Sequence, residues 1–464
     1  MRRGWTVTRT ALVAGTCTAV LIGGGVGAVA LRDGDLPVLP RPTPSPSASL
    51  SPLLPAPSPQ APVPTALGLR RALAPGLAAP SLGRSVAVSV LDAVTGRPLL
   101  ETDSHKVVLP ASTAKIATAV AALTALPADR RLTTKVVAGA APGEVVIVGA
   151  GDPTLGGKLT KASTYPPVAR ISDLAAQVRA ALAGAVVTRV TVDDTLYAGP
   201  LLGPGWRPQY VTGGDVAPVM ALMVDGGRIR PAAVRAPRLA DPAVAAGHQL
   251  AALLGAPKAV VGRGRAPADA KQLGAVTSPT VQQLVEGMLT RSDNDLAEAL
   301  SRQVAIAKGR PATFAGAAAA VRDVLHDVLA EVGATPGSVA LVDGSGLSRL
   351  DRVQPGALTR LLSAIAGRDR DRLHPVLSGL PVAGFDGTLE KRFRRGPGVP
   401  AAGVVRAKTG TLNGVSALAG LVRTRDGRLL AFDLTADGVP IGSTLASQTA
   451  LDRLAAALAG CGCR

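Results

Sequence analysis

A hydroxyl and an amine three residues apart carry the first sign of chemistry in this chain. Ser112 and Lys115 stand in Pro110-Ala111-Ser112-Thr113-Ala114-Lys115, the only Ser-x-x-Lys of the sequence. In a helix that spacing puts both side chains on one face, about one turn apart. A serine is a weak nucleophile until a base takes its proton, and a lysine is such a base when burial or a cationic neighbour lowers its pKa. Two other stretches hold complementary groups, Ser292-Asp293-Asn294 and Lys408-Thr409-Gly410-Thr411. Ser292 can relay a proton to a leaving group, while Asn294 can bind a peptide backbone and hold Lys115. Lys408 supplies positive potential that suits a substrate carboxylate and helps keep Lys115 neutral, and the hydroxyls of Thr409 and Thr411 can hold that carboxylate. A strand ending in these residues can pair edge-on with an extended peptide, Gly410 permitting close approach.

The elements that must position these groups are legible from pattern. Pro110 favours an extended residue before it, Ser112 can cap, and the apolar, alanine-rich residues 116–126 read as a buried helix. Ser292 to Asn294 fall between helices expected over 280–290 and 296–308, with Asp293 and Asp295 as candidate caps of the second. Residues 404–407 read as a strand delivering Lys408, followed by strands over 417–423 and 428–434 joined at Asp426-Gly427. A hairpin is expected over 86–91 and 98–101, strands over 133–137 and 145–148, and a closing helix over 443–458. Residues 151–267, with a helix near 171–182 and a strand at 186–192, read as an inserted domain. The expected organisation is therefore a membrane anchor or signal peptide (1–35), a Pro/Ser-rich linker (36–65), a principal domain (66–150 and 268–464) and the insert (151–267).

Composition narrows the function. The chain has 464 residues, a formal charge of +18, and 47% apolar but only 2% aromatic residues. No stretch interleaves basic and aromatic side chains, so nucleic acid is not an expected partner. Three cysteines, Cys17, Cys461 and Cys463, give neither a disulfide framework nor zinc-ligand spacing, and neither a metal nor a cofactor is expected. Cys461-Gly462-Cys463 is too tight for an easy disulfide. The glycines around Gly149 and Gly151 lack the spacing of a phosphate loop. Arg2, Arg3 and Arg9 precede an uncharged run over 10–31, long enough to span a bilayer, which predicts export with the basic flank left in the cytoplasm. Ala28-Val29-Ala30 resembles a cleavage site, but the length of the run favours an uncleaved anchor. Residues such as Pro42-Thr43-Pro44-Ser45-Pro46 cannot pack a core and read as an extended spacer.

The order Ser112-x-x-Lys115, Ser292-x-Asn294, Lys408-Thr409-Gly410 resembles the site of penicillin-binding proteins and β-lactamases. Ser112 and Ser292 are 180 residues apart, room for a whole domain. That spacing, with Gly151-Asp152-Pro153-Thr154, Asp343-Gly344-Ser345-Gly346 and Asp386-Gly387-Thr388, is similar to the D-alanyl-D-alanine carboxypeptidase/endopeptidase family, the class C low-molecular-mass penicillin-binding proteins. The resemblance implies an α/β (α+β) transpeptidase-like fold, an antiparallel sheet flanked by helices and interrupted by a smaller α/β domain. It implies an acyl-enzyme on Ser112 formed from peptidoglycan stem peptides, inhibition by β-lactams, and an oxyanion hole from the Ser112 and Thr411 amides. A β-lactamase would need a deacylating Glu-x-x-x-Asn stretch after the Ser-x-Asn, which is absent. A catalytically silent wall scaffold would not need intact Ser112, Lys115, Ser292 and Lys408. A Ser-His-Asp triad at Ser345 would need one of the four histidines, all of which read as ordinary surface or packing residues.

Overall fold

The computed structural model describes residue 58 and residues 60–157, 166–233, 235–367 and 371–462. The expected anchor or signal segment (1–35) and residues 36–57 and 59 of the linker lie outside these. Among the described residues no helix is long and apolar enough to cross a membrane.

Among the described residues, twelve strands form three sheets: β1 (Val86–Asp92), β2 (Pro98–Thr102), β3 (Thr133–Ala138), β4 (Glu144–Val148), β5 (Arg189–Asp193), β6 (Val260–Arg263), β7 (Gln272–Thr277), the two-residue β8 (Val339–Ala340) and β9 (Arg352–Val353), β10 (Val405–Leu412), β11 (Val415–Arg423) and β12 (Leu429–Asp437). The helices are α1 (Ala66–Leu77), α2 (Ala114–Ala125), α3 (Ile171–Leu182), the short α4 (Gln209–Thr212), α5 (Pro242–Leu253), α6 (Val281–Arg291), α7 (Asn294–Ala307), α8 (Phe314–Glu331), α9 (Pro355–Ala366), the short α10 (His374–Ser378) and α11 (Thr444–Ala459).

The principal sheet has the order β10-β11-β12-β1-β2, antiparallel throughout. Period-two alternation divides its strands between two cores. Phe432 and Leu434 of β12 face α1 and α11, where Leu69, Leu73, Leu451 and Leu454 pack, whereas Ala431 faces the opposite core. That second core is built on α2. Its Ala-rich sequence favours helix and is apolar on every side, so ten of its twelve residues are buried among α6, α7, α8 and α9. A largely buried helix thus carries Lys115.

The other five-stranded sheet has the order β6-β5-β4-β3-β7. β4, β5 and β6 run parallel, which requires crossovers, and α3 and α5 provide them, while β3 pairs antiparallel with β4 and β7. Its core gathers Ile147, Leu174, Val178, Val192 and Leu250. Its strands run over residues 133–277, wider on both sides than the 151–267 expected for the insert. The alternation in β3 and β4 fits either sheet equally well, and only their pairing decides.

Candidate active site

Ser112 lies in a 3-10 turn, Ala111–Thr113, that runs into α2. It does not cap the helix. The local side-chain bond is instead from Thr113 Oγ1 to the Pro110 carbonyl, 2.7 Å. Ala111, directly before the nucleophile, has a φ of 47°, a left-handed conformation that costs an alanine on the order of 1 kcal/mol. Two glycines clamp this bend. A Cβ on Gly346, itself at φ 79°, would stand 1.9 Å from the Ala111 oxygen, and one on Gly410 would stand 2.7 Å from the Pro110 oxygen. The freedom expected of Gly410 toward a ligand thus serves, in the structure, the approach of strand β10 to the nucleophile turn.

Lys115 is fully buried, and its Nζ meets three oxygens: Ser112 Oγ at 3.1 Å, Asn294 Oδ1 at 2.6 Å and the Ser345 carbonyl at 2.6 Å. The orientation of the Asn294 amide is fixed by its other end, where Nδ2 donates to the Asp215 carbonyl at 2.8 Å. Burial pushes the Lys115 amine down to about 8, against the pull of Asp343, Glu298, Asp293 and Asp351. In the neutral amine the two N–H bonds go to Asn294 Oδ1 and Ser345 O, which only accept. The lone pair is then left for the Ser112 hydroxyl.

Ser292 ends α6 in the left-handed conformation, φ 56°, and accepts from Lys408 Nζ at 2.9 Å. Lys408 also reaches the Thr409 carbonyl at 3.0 Å, and burial and then the neighbouring Lys115 hold its pKa well below the usual range. Burial, one of the two causes expected from the sequence, is the principal cause of the low Lys115 value. Thr409 Oγ1 donates to Thr388 Oγ1 at 2.9 Å, and Thr411 Oγ1 accepts from Gln448 at 3.2 Å. β10 is an edge strand. Its first half is covered by residues 381–383, through Ala383 N to Val405 O and Ala407 N to Pro381 O, both 2.9 Å. Beyond that cover, Thr409, Thr411 and Leu412 line a cleft of about 360 Å³ together with Ser112, Ser292 and Asn294. All five residues expected to do chemistry, and the three expected to bind, thus come together.

A family profile described as the D-Ala-D-Ala carboxypeptidase 3 (S13) family matches residues 69–238 and 231–458. The chain belongs to that family. It is a serine-type D-Ala-D-Ala carboxypeptidase. Carboxypeptidase DacB of Mycolicibacterium smegmatis is 42% identical over 427 residues, covering 91% of this chain and 90% of that protein. A carboxypeptidase of Mycobacterium tuberculosis is 42% identical over 409 residues, 86% of this chain and 85% of that one. Penicillin binding protein 4 (DacB) of Haemophilus influenzae shares the fold with a TM-score of 0.66 at 22% identity, over 84% of this chain and 97% of that one.

Several groups of this S13 carboxypeptidase act through backbone atoms or at a distance: the Asp343-Gly344-Ser345-Gly346 motif stands out in the sequence, whereas Glu298 and Asp351 do not. Asp343 accepts from the amides of Ser345, Gly346 and Ser348 at 3.1, 2.7 and 2.8 Å and from Trp206 Nε1 at 2.6 Å, closing the turn that aims the Ser345 carbonyl at Lys115. Glu298, wholly buried, accepts from the amides of Gly344 and Ser345, and burial with the field of Asp343 pushes its pKa to about 7. Asp351 accepts from the Val342 amide, and burial and then Asp343 push its pKa well up. Ser345 itself is buried and its Oγ accepts from the Leu347 amide. His326 and His374 sit with Asp327 and Asp371 at the surface. Asp293 caps α7 through the Leu296 amide, as expected, but Asp295 does not cap. It accepts from the Ala217 amide at 2.7 Å and pairs with buried Arg238 at 3.1 Å, tying α7 to the 210–240 segment. Cys461 is disulfide-bonded.

Proposed function

We propose that this carboxypeptidase cleaves the D-Ala-D-Ala bond of peptidoglycan stem peptides through an acyl-enzyme on Ser112, and that β-lactams acylate the same hydroxyl. The observation that carries this is the trivalent setting of Lys115 Nζ, with two acceptors that leave its lone pair to Ser112. Lys115 takes the Ser112 proton as Oγ attacks the scissile carbonyl. The amides of Ser112 and Thr411 face the resulting oxyanion. Ser292, bonded to Lys408, passes a proton to the leaving amine, and Lys408 with the hydroxyls of Thr409 and Thr411 holds the terminal carboxylate. An anionic carboxylate beside Lys408 favours its ammonium form, so substrate binding charges the site at the moment the leaving group needs a proton. Water activated by Lys115 then resolves the ester.

Action outside the cytoplasm is part of this reading. It rests on the basic residues Arg2, Arg3 and Arg9 before the uncharged run 10–31, which would anchor the chain in the membrane or direct its export, and on the proline-rich spacer that follows. The inserted domain in this reading is the unit built on the second sheet, residues 133–277.

The test is a time course with a fluorescent penicillin and, in parallel, D-alanine release from an acyl-D-Ala-D-Ala peptide. A stable label at Ser112 with peptide turnover supports the reading, and Ser112→Ala abolishes both. Rapid release of hydrolysed drug would instead favour a β-lactamase, and undiminished peptide cleavage by Ser112→Ala would sink the nucleophile assignment.

A further inference from the structure

The loop between β8 and β9, residues 341–351, presents the Ser345 carbonyl to Lys115 Nζ at 2.6 Å. Asp351 closes that loop at its far end and is wholly buried. Its Oδ1 accepts from the Val342 amide at 2.8 Å, whereas its Oδ2 is buried without a hydrogen-bond partner. A buried carboxylate oxygen with nothing to accept is costly and calls for a physical reason. No cation among the described residues supplies one. Arg352, the next residue, gives its guanidinium to the carbonyls of Arg349 and Asp351 at 2.8 and 2.7 Å, and Arg302 pairs with Glu298. Lys115 turns its Nζ to Ser112, Asn294 and Ser345.

What faces Asp351 is another acid. The Asp343 side chain lies within hydrogen-bonding reach of it, and Glu298 on α7 is the next negative group. Two carboxylates only accept, so a bond between them requires a proton on one of the two. The donors around each acid say which. Asp343 takes four: the Ser345 and Gly346 amides on Oδ1, and the Ser348 amide and Trp206 Nε1 on Oδ2. Asp351 takes one, from Val342. Donors stabilise the anion, so the proton belongs on the acid with fewer of them, and there on the oxygen that has none. Burial and the field of Asp343 act in the same direction, pushing the Asp351 pKa well up.

We propose that Asp351 stands in the native enzyme as a neutral acid whose Oδ2–H donates to Asp343, and that this bond makes it a positioning residue for the Ser345 carbonyl. The bond joins the turn 343–348 to the base of its own loop, where Val353 pairs with Val339 and with Val108. Without it, Asp343 is fixed only by the turn's own amides and by Trp206.

The neutral state has a second consequence. Asp351 is the last of the four acids that pull on Lys115, and a proton on it removes that pull, leaving Asp343, Glu298 and Asp293. Asp351 thus differs in kind from Glu298: it gives the loop a bond and Lys115 no charge. Asparagine imitates such an acid closely, because its Nδ2–H can donate to Asp343 while its Oδ1 accepts from the Val342 amide. The catalytic side of this inference rests on the reading of Lys115 as the base of Ser112.

The experiment compares the full chain with its Asp351→Asn, Asp351→Ala and Ser112→Ala variants. In infrared difference spectra at neutral pH, unmodified chain minus Asp351→Asn, the expected signal is the C=O band of a protonated carboxyl. A carboxylate band in its place, the signature of an ionised Asp351 served by buried water, would overturn the proposal whatever the variants do in catalysis. Penicillin labelling of Ser112 is expected to slow about tenfold in Asp351→Ala, as the carbonyl opposite Lys115 loses its fixed place. Asp351→Asn should restore most of that rate and leave the rising limb of its pH profile unmoved. A limb displaced to lower pH in Asp351→Asn would mean that a negative charge had been removed from behind Lys115. That result, an asparagine variant as slow as the alanine one, or an alanine variant as fast as the unmodified chain, would each count against Asp351 as a neutral positioning residue. Ser112→Ala should lose the label and keep the infrared band, so the acyl-enzyme reading and this proposal can fail independently.

Discussion

The two buried lysines of the site differ in what lies behind them. Lys115 has the Ser345 carbonyl and the Asn294 amide as fixed acceptors and a field of carboxyl groups, Asp343, Glu298, Asp293 and Asp351, at its back. Lys408 has one hydroxyl, one carbonyl of its own strand, and Lys115 as its charged neighbour. Burial lowers both, but the acids hold Lys115 at about 8, while the charged neighbour of Lys408 is a cation that lowers it as well. Equal burial therefore yields two roles: an amine poised to exchange its proton near neutral pH, and one that gains its charge from the substrate.

Removing either lysine gives the largest expected effects, and the contrast between them is the informative part. Lys115→Ala deprives Ser112 of its base, and acylation by penicillin should fall by about 10⁴-fold, the upper range for general-base catalysis. Lys408→Ala should cost about 10²- to 10³-fold on a substrate with a terminal carboxylate, and much less on an analogue whose carboxylate is amidated. Equal losses on the two substrates would contradict the carboxylate role.

Gly346→Ala probes the clamp on the nucleophile turn. The added methyl would meet the Ala111 carbonyl, and φ 79° already strains an L-residue there, so the turn must shift. Penicillin labelling should drop by about 10- to 100-fold, because a displacement of the order of 1 Å disrupts attack geometry. Labelling at the wild-type rate would show that the turn does not need this close approach.

A smaller and sharper effect is expected of Glu298→Gln. Gln can still accept from the Gly344 and Ser345 amides, so the turn keeps its bonds, but one negative group behind Lys115 is gone. The protonated amine is then less favoured, and the Lys115 pKa moves below about 8. Since the neutral amine is the base, the rising limb of the acylation rate should shift to lower pH. An unmoved or upward-shifted limb would remove Glu298 from the account.

Much of this site was legible in the sequence because each motif carries its chemistry in side chains of rare or distinctive type. The chain has ten lysines and two asparagines, and the ones that matter sit in short patterns on predictable elements. Glu298 was not recognised, since a glutamate three residues into a helix after Asp295 looks like any solvated face until α7 is found buried. The Ser345 carbonyl is a backbone atom and leaves no mark on residue type. Asp295 has a capping residue's position but a strut's partners, and its Ala217 and Arg238 contacts are some eighty and sixty residues away along the chain. The second sheet was underestimated for a related reason: β3 and β4 alternate as strands should, yet alternation does not name a neighbour.

The most direct single measurement is the rate of Ser112 acylation by a fluorescent penicillin from pH 6 to 10, with the modified residue located by peptide mass. A single adduct on Ser112, formed at a rate that climbs with pH through about 8 and then levels, is the expected result, because the fraction of neutral Lys115 climbs in that window. An adduct on another residue, or a rate flat across the whole range, would contradict the assignment of Lys115 as the base that arms Ser112.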